Sequence, residues 1–230
     1  STADSDPALR KYLLATLDTK GIEAAFVRDQ LAARGVDVKL VDAGCLGEPA
    51  VPADVPREAV FAAAGTTLAA VRQKADRGHA VTTAAAGAAQ LIAQLHAAGN
   101  VSGVLSLGGS AGTTIGTAAM RALPLGVPKI AVSTLASGQV RQYVGDKDIL
   151  MLNSVVDILG LNRISRIVLS QAARAMTGMV LFAGDDVAAS DDKPLVSTTL
   201  FRVTSTRFQH ATMFLLVAGY KDRVLHATGS

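Results

Sequence analysis

Several things are scarce in this sequence. Its 230 residues include one cysteine, Cys45, no tryptophan, and only 4% aromatic residues. A single thiol excludes an intramolecular disulfide framework and a cysteine-rich zinc site. So few rings argue against the stacking surface that holds single-stranded nucleic acid. Charge is sparse too, at 18% of residues with a formal net charge of +3 and no Lys/Arg run. A sequence pI near 9.2 is therefore no mark of a nucleic-acid binder. No stretch approaches the roughly 18 consecutive apolar residues of a membrane-crossing helix, and no basic-then-apolar leader is seen. The expectation is a soluble cytoplasmic protein with no nucleic-acid and no membrane partner.

Half of the residues are hydrophobic, with heavy use of Ala and Gly. That composition supports a sizeable core of helices packed closely on a sheet. The length has room for one large domain plus a fragment of another. Residues 1–7 read as a tail. Tyr12 to Leu17 read as a buried strand, and Asp18-Thr19-Lys20-Gly21 as a polar cap before a helix carrying Ile22, Ala25, Phe26, Leu31 and Ala32. Gly35 stops that helix, and Val36 to Val41 form a second strand, which makes a β-α-β unit with a right-handed crossover. Ala43 to Arg57 is a Gly- and Pro-rich loop. Short helices through Ala63 and from Leu68 to Lys74 follow, then a long helix from Arg77 to Ala98 with small residues almost all round, which is expected to be well buried. His79 and His96 lie near its two ends without the i+4 partner of a metal pair, so no metal site is expected.

The strand Val104 to Leu107 runs into Gly108-Gly109-Ser110-Ala111-Gly112-Thr113-Thr114 and then a helix through Arg121. The first N–H groups of a helix lack partners and its dipole is positive there, so this junction suits an anion. A glycine-rich turn that merely reverses the chain is the alternative. The pattern is neither a dinucleotide fingerprint nor a P-loop. Lys129 to Ser133 is the next strand. Its exit carries Thr134, Ser137 and Gly138, and a short strand at Ile149 to Leu152 leads to Asp157, Asn162, Arg163 and a helix from Ile164 to Val180. In an open parallel sheet ligands bind outside the carboxyl ends of the strands. The exits at Asp18-Thr19-Lys20, at Gly108 to Thr114 and at Ser133 to Gly138 are therefore expected to share one edge.

Individual residues have competing readings. Asp42 suits a ribose hydroxyl or a turn. Lys20 suits a phosphate countercharge or a solvated surface. Asp18 suits Mg²⁺, a hydroxyl or a helix cap. Asp157, Asn162 and Arg163 suit the ligand or the turn before the last helix. Ser110 is not in a nucleophile elbow and reads as a hydroxyl donor to phosphate. The expected organisation is a Rossmann-like domain over residues 1–183, an acidic linker over 184–193, and an incomplete β-α-β start of a second α/β domain over 194–230, with a strand at Pro194 to Phe201, a helical segment to about Ala218 and a strand at Arg223 to Leu225.

Five segments, taken together, carry a resemblance: Ala15 to Gly21, Leu107 to Thr113, Leu123 to Lys129, Val132 to Gly138, and Ser154 to Ser165. In these the chain resembles the family of ATP-binding domains typified by the tomato mosaic virus resistance protein, over about Tyr12 to Val180. The resemblance implies two Rossmann-like α/β domains, ATP as ligand, with or without Mg²⁺, and a homodimer or higher homo-oligomer. It also implies phosphates held by Gly108, Gly109, Ser110, Ala111, Gly112, Thr113 and Thr114, helped by Ser133, Thr134, Ser137 and Gly138. The family loop usually reads Gly-Gly-Ser-Gly-Gly, and Ala111 departs from it. A positive φ at that position would cost an alanine on the order of 1 kcal/mol. Two other classes stay open, an enzyme for a small phosphorylated or carboxylated metabolite at the same edge and a regulatory interaction module.

Overall fold

Four runs of apolar residues, β1 (Lys11–Ala15), β2 (Val38–Asp42), β3 (Gly103–Gly108) and β4 (Lys129–Ser133), are buried almost throughout. Strands covered on both faces have no polar side to alternate with, and that burial is the pattern of a parallel sheet. In the computed structural model, which describes residues 11–183, 195–200, 213–214 and 221–226, they join β5 (Leu150–Asn153) in one parallel sheet of order β2-β1-β3-β4-β5. The fold is therefore α/β, with helices on both faces.

The helices are α1 (Leu17–Ala32), α2 (Arg57–Ala63), α3 (Leu68–Gln73), α4 (Arg77–Ala97), α5 (Ser110–Arg121), α6 (Arg141–Val144) and α7 (Arg163–Leu181). α1 packs with α7 over one face, burying Leu17, Val27, Leu31, Leu169 and Met176 against Leu13, Leu105 and Ile130. α4 packs with α2 and α5 over the other, where Phe61, Ala84, Ala88, Ile92, Ile115 and Met120 meet Leu14, Val104 and Ala131. Gly35 and Gly99, with φ of 74° each, turn the chain out of α1 and α4.

Several expectations are revised. The first strand ends at Ala15, and Asp18, Thr19, Lys20 and Gly21 belong to the first turns of α1, with a local break at Lys20 (φ −129°, ψ 17°). α4 is buried along one face only, because Thr82, Ala86, Gln90 and Gln94 face solvent. The exit from β4 contains the short helix α6. Residues 1–7 and 184–193, read as tail and linker, lie outside the described residues, as does most of the stretch read as helical up to about Ala218. The chain divides into two units, Ser1–Phe182 and Ala183–Ser230. In the second, β6 (Leu195–Leu200) and β7 (Lys221–His226) pair in parallel, with Leu195 opposite Lys221 and Leu200 opposite His226.

At the amino end of β4 the Lys129 side chain is fully buried. Its ammonium donates to Asp148 at 2.6 Å and to the Val127 carbonyl at 2.7 Å. Burial raises the Asp148 pKa, but hydrogen bonds from Lys129 and the Gly126 N–H, with the Lys129 charge, hold it below the ordinary carboxylate value. A depressed folded pKa gives stability that is present above the unfolded value and lost as pH falls through the folded one. Removing Asp148 strands a buried ammonium, whereas removing Lys129 leaves a carboxylate that water can reach. Asp148→Ala is expected to cost roughly 2–3 kcal/mol and Lys129→Met less than about 1 kcal/mol. Urea unfolding of both at neutral pH checks this, and equal losses would refute the asymmetry.

Candidate functional site

The sheet order runs outward in both directions from the β1–β3 pair, so the switch point lies at the carboxyl ends of these two neighbours. Two helices start there, α1 after β1 and α5 after β3. The start of α5 is shaped by glycines. A Cβ on Gly108 would stand 2.8 Å from the Gly112 Cα, and one on Gly112 would stand 2.9 Å from the Leu107 carbonyl oxygen. A Cβ on Gly116 would lie 2.2 Å from the Ser106 hydroxyl oxygen. Gly108 closes β3, and Gly112 and Gly116 lie four apart on one face of α5, so together they let the helix lie directly on β3. Gly109 has a different setting, with no close neighbour except the Thr134 hydroxyl at 3.7 Å.

α5 opens without a side-chain cap, and its first ladder bond is from the Thr113 N–H to the Gly109 carbonyl at 2.8 Å. The N–H groups of Ser110, Ala111 and Gly112 therefore have no partner within the helix. Ala111 is helical with a negative φ, so the substitution of the family's glycine carries no backbone penalty. Thr113 and Ser133 are buried and share a hydrogen bond of 2.6 Å between their hydroxyls. Ser133 also accepts from the Leu135 N–H at 2.9 Å. These two fasten α5 to the end of β4. Thr114 donates to the Ser110 carbonyl, and Thr134 donates its N–H to the Gly108 carbonyl at 3.3 Å. Ser110, Ser137 and Gly138 are exposed.

On the β1 side, Thr16, Asp18, Thr19 and Ala111 line one cavity with Cys45 and Arg77. Asp18 Oδ2 accepts from the N–H groups of Leu46 at 2.9 Å and Gly47 at 3.2 Å. Its Oδ1 is buried and, among the described residues, has no partner. Gly44 is what lets Asp18 sit there, since a Cβ would come within 2.7 Å of the carboxylate. Lys20 turns away, its ammonium donating to the Ile158 carbonyl, while Glu23 accepts from the Gly160 N–H at 2.6 Å. The loop after β5 is thus held to α1, and Lys20 is not among the lining residues of this cavity.

Asp42 serves the fold. It is 1% exposed, and its Oδ1 accepts from the N–H groups of Leu17 at 3.0 Å and Gly44 at 2.8 Å. Its Oδ2 pairs with the Arg57 Nε at 2.6 Å. Both oxygens are thereby engaged inside the protein rather than offered to a ribose. Arg57 also donates to the Gly47 carbonyl, and Arg72 to the Cys45 and Leu46 carbonyls, so the loop after β2 is fixed from several sides. Burial pushes the Cys45 thiol up, with Asp18 adding to it and Arg57, Arg72 and Arg77 opposing. The thiol there is a neutral wall. Asn162 caps α7 by accepting from the Ile164 and Ser165 N–H groups, with Ser165 returning the bond to its backbone. Asp157 and Arg163 are exposed.

Sequence reading did not single out Arg57, Arg72, Arg77, Gly44 or Leu46. Arg57 lies at the end of the stretch read as a loop and Arg72 and Arg77 on stretches read only as helices, and nothing local says that they converge on the loop after β2.

A family model described as the N-terminal domain of Uncharacterised protein family UPF0261 matches residues 10–184. A UPF0261 protein of Clostridium tetani is 42% identical over 218 residues, covering 95% of this chain and 54% of its own length. One from Rhizobium meliloti is 42% identical over 221 residues, covering 96% and 54%. The chain spans about half the length of these relatives. The tomato (Solanum lycopersicum) ToMV resistance protein Tm-1(GCR237) is 42% identical over 133 residues, 56% of this chain and 18% of that protein. Among solved structures, a putative UDP-N-acetylglucosamine 2-epimerase from Listeria monocytogenes aligns over 96% of this chain and 63% of its own at TM-score 0.40 and 10% identity, too weak a likeness to argue from.

Proposed function

We propose that this chain, which belongs to the UPF0261 family, binds a nucleotide, ATP by preference, at the carboxyl edge of β1 and β3. The observation that carries the reading is the uncapped start of α5 at the switch point, with the N–H groups of Ser110, Ala111 and Gly112 left over from the helix. Such groups with the helix dipole behind them favour phosphate. The chemistry of the neighbours fits the group. Ser110 is exposed at the start of α5, Arg77 and Asp18 line the adjoining cavity, and the Asp18 carboxylate, one oxygen of which lacks a protein partner among the described residues, suits a sugar hydroxyl or a Mg²⁺ accompanying the phosphates. Thr113, Ser133, Asp42 and Asn162 support the scaffold rather than the ligand, since their polar atoms are taken up by the protein. Among the described residues no general base is hydrogen-bonded to the Ser110 hydroxyl, so its role in this reading is that of a donor to phosphate and not of a nucleophile.

The test removes two donors, an N–H and a hydroxyl, without disturbing the helix. Ser110 is the first residue of α5, where proline is tolerated because the N–H is unused, and Gly109 before it is extended (φ −79°, ψ −151°), as a residue preceding proline must be. Ser110→Pro should therefore fold and melt like the parent while losing an N–H and a hydroxyl. The expected result by calorimetry, with Mg²⁺ present and absent, is ATP binding to the parent and a roughly tenfold weaker Kd for the variant. No binding of ATP to the parent at millimolar concentration would sink the reading. Screening both proteins for ATP hydrolysis separates a binding module from an enzyme.

A further inference from the structure

The cavity beside α5 does not end there. Cys45, Leu46, Arg77 and Ala80 line it on one side and also line a second, larger cavity of about 220 Å³ that reaches Val71 and Ala75 at the α3–α4 turn. The two form one groove, running from the start of α5 to the face of α3. Its character changes along the way. At the α5 end stand Ala111, in the uncapped first turn of that helix, and Asp18. At the far end the walls are mostly apolar, Val71, Ala75, Ala80 and the uncharged Cys45 with Leu46 at the lip, although Arg72 and Asp76 line it too. Leu46 is 65% exposed although its backbone is tied down by Asp18 and Arg72, so a large apolar side chain is held out beside an apolar hollow. Arg77 lines both cavities. It is exposed, and among the described residues it makes no hydrogen bond or ion pair, unlike Arg57 and Arg72, which are committed to the loop.

We infer that the groove is a two-part site, with the ring system of the ligand lying between Leu46 and Val71, its phosphates at the start of α5, and Arg77 bridging the two. This inference rests on the nucleotide reading above and sharpens it. It gives the ring system of that nucleotide its own subsite, which a free phosphate, a polyphosphate or a small carboxylated metabolite would leave bare. Arg77 is suited to the bridge because a guanidinium can take phosphate oxygens in a forked pair and also lie over an aromatic face. Leu46 contributes apolar area that is exposed when the ring is absent and covered when it is present.

Calorimetric titration of the full chain with ATP, tripolyphosphate and adenosine separates the two halves. The expected result is ATP binding about tenfold or more tighter than tripolyphosphate, with adenosine weak. Leu46→Ser should weaken ATP about tenfold and leave tripolyphosphate unchanged, while Arg77→Met should weaken both by about fivefold or more. Both side chains are exposed, so the variants should keep the parent's circular dichroism and melting temperature. If ATP and tripolyphosphate bind equally, or Leu46→Ser leaves ATP unaffected, the apolar half holds no ring and the inference is overturned, while the phosphate cradle stands. If neither ATP nor tripolyphosphate binds at millimolar concentration, the reading of the site falls and this inference with it.

Discussion

Asp42→Ala is expected to lower the unfolding free energy by about 3–5 kcal/mol, because it removes one member of a buried ion pair and leaves the other uncompensated. The Asp42 and Arg57 side chains are 2% and 5% exposed, so the stranded guanidinium cannot recover its hydration without opening the loop after β2. The N–H groups of Leu17 and Gly44 lose their acceptor in the same step. Arg57 Nη2 is already without a partner among the described residues, which leaves little slack in the network. Chemical denaturation at neutral pH measures the effect, read as a shift in midpoint at constant slope. The double variant Asp42→Ala/Arg57→Ala should lose clearly less than the two single losses added together, the signature of coupled neighbours. A single-variant loss under about 1 kcal/mol would mean that the pair does not organise this edge.

Gly87→Ala reverses the usual sign of a helix substitution. In an exposed helix interior, alanine is better than glycine by about 1 kcal/mol. At Gly87, however, a Cβ would stand 2.0 Å from the Val60 carbonyl oxygen and 2.9 Å from its carbon, both backbone atoms of α2. A flexible side chain could swing aside, but α2 can yield only by moving off α4 as a unit and opening the packing around Phe61 and Ala84. Overpacking of this kind costs typically about 1–3 kcal/mol and can exceed it against backbone, so a net loss of roughly 2 kcal/mol is expected after the propensity gain. Thermal unfolding checks it, and a variant more stable than the parent would show that α2 moves freely.

Most of the fold was legible because its signals are local. Short, mostly apolar runs at Leu13, Leu105 and Ile130 mark strands buried on both faces, and a helical pattern between them marks the crossovers. The glycine turn at Gly108 could be read as the start of a helix for the same reason. The boundaries at Asp18 to Gly21 were not legible, because the polar residues that resemble a cap are the first turn of a helix whose break falls at Lys20. Ala111 shows a limit of another kind. A departure from a family pattern suggests strain, but strain depends on φ, and at this position the backbone is helical.

Side-chain partners were a different matter. Asp42 and Lys20 are polar residues at strand exits, and their composition suits a ligand as well as it suits the fold. What decides between the two is who reaches them: Arg57 comes to Asp42 from 15 residues along the chain, and the Ile158 carbonyl comes to Lys20 from 138. The same holds for the groove, where Leu46, Val71 and Arg77 meet across three loops and helices. The sequence by itself determined the order of strands and helices and the glycine-shaped start of α5, because periodicity and turn chemistry act within a few residues. Only the tertiary structure decided which charges are spent on the scaffold and which, like Arg77, are left lining a cavity, because burial and pairing depend on contacts between distant segments.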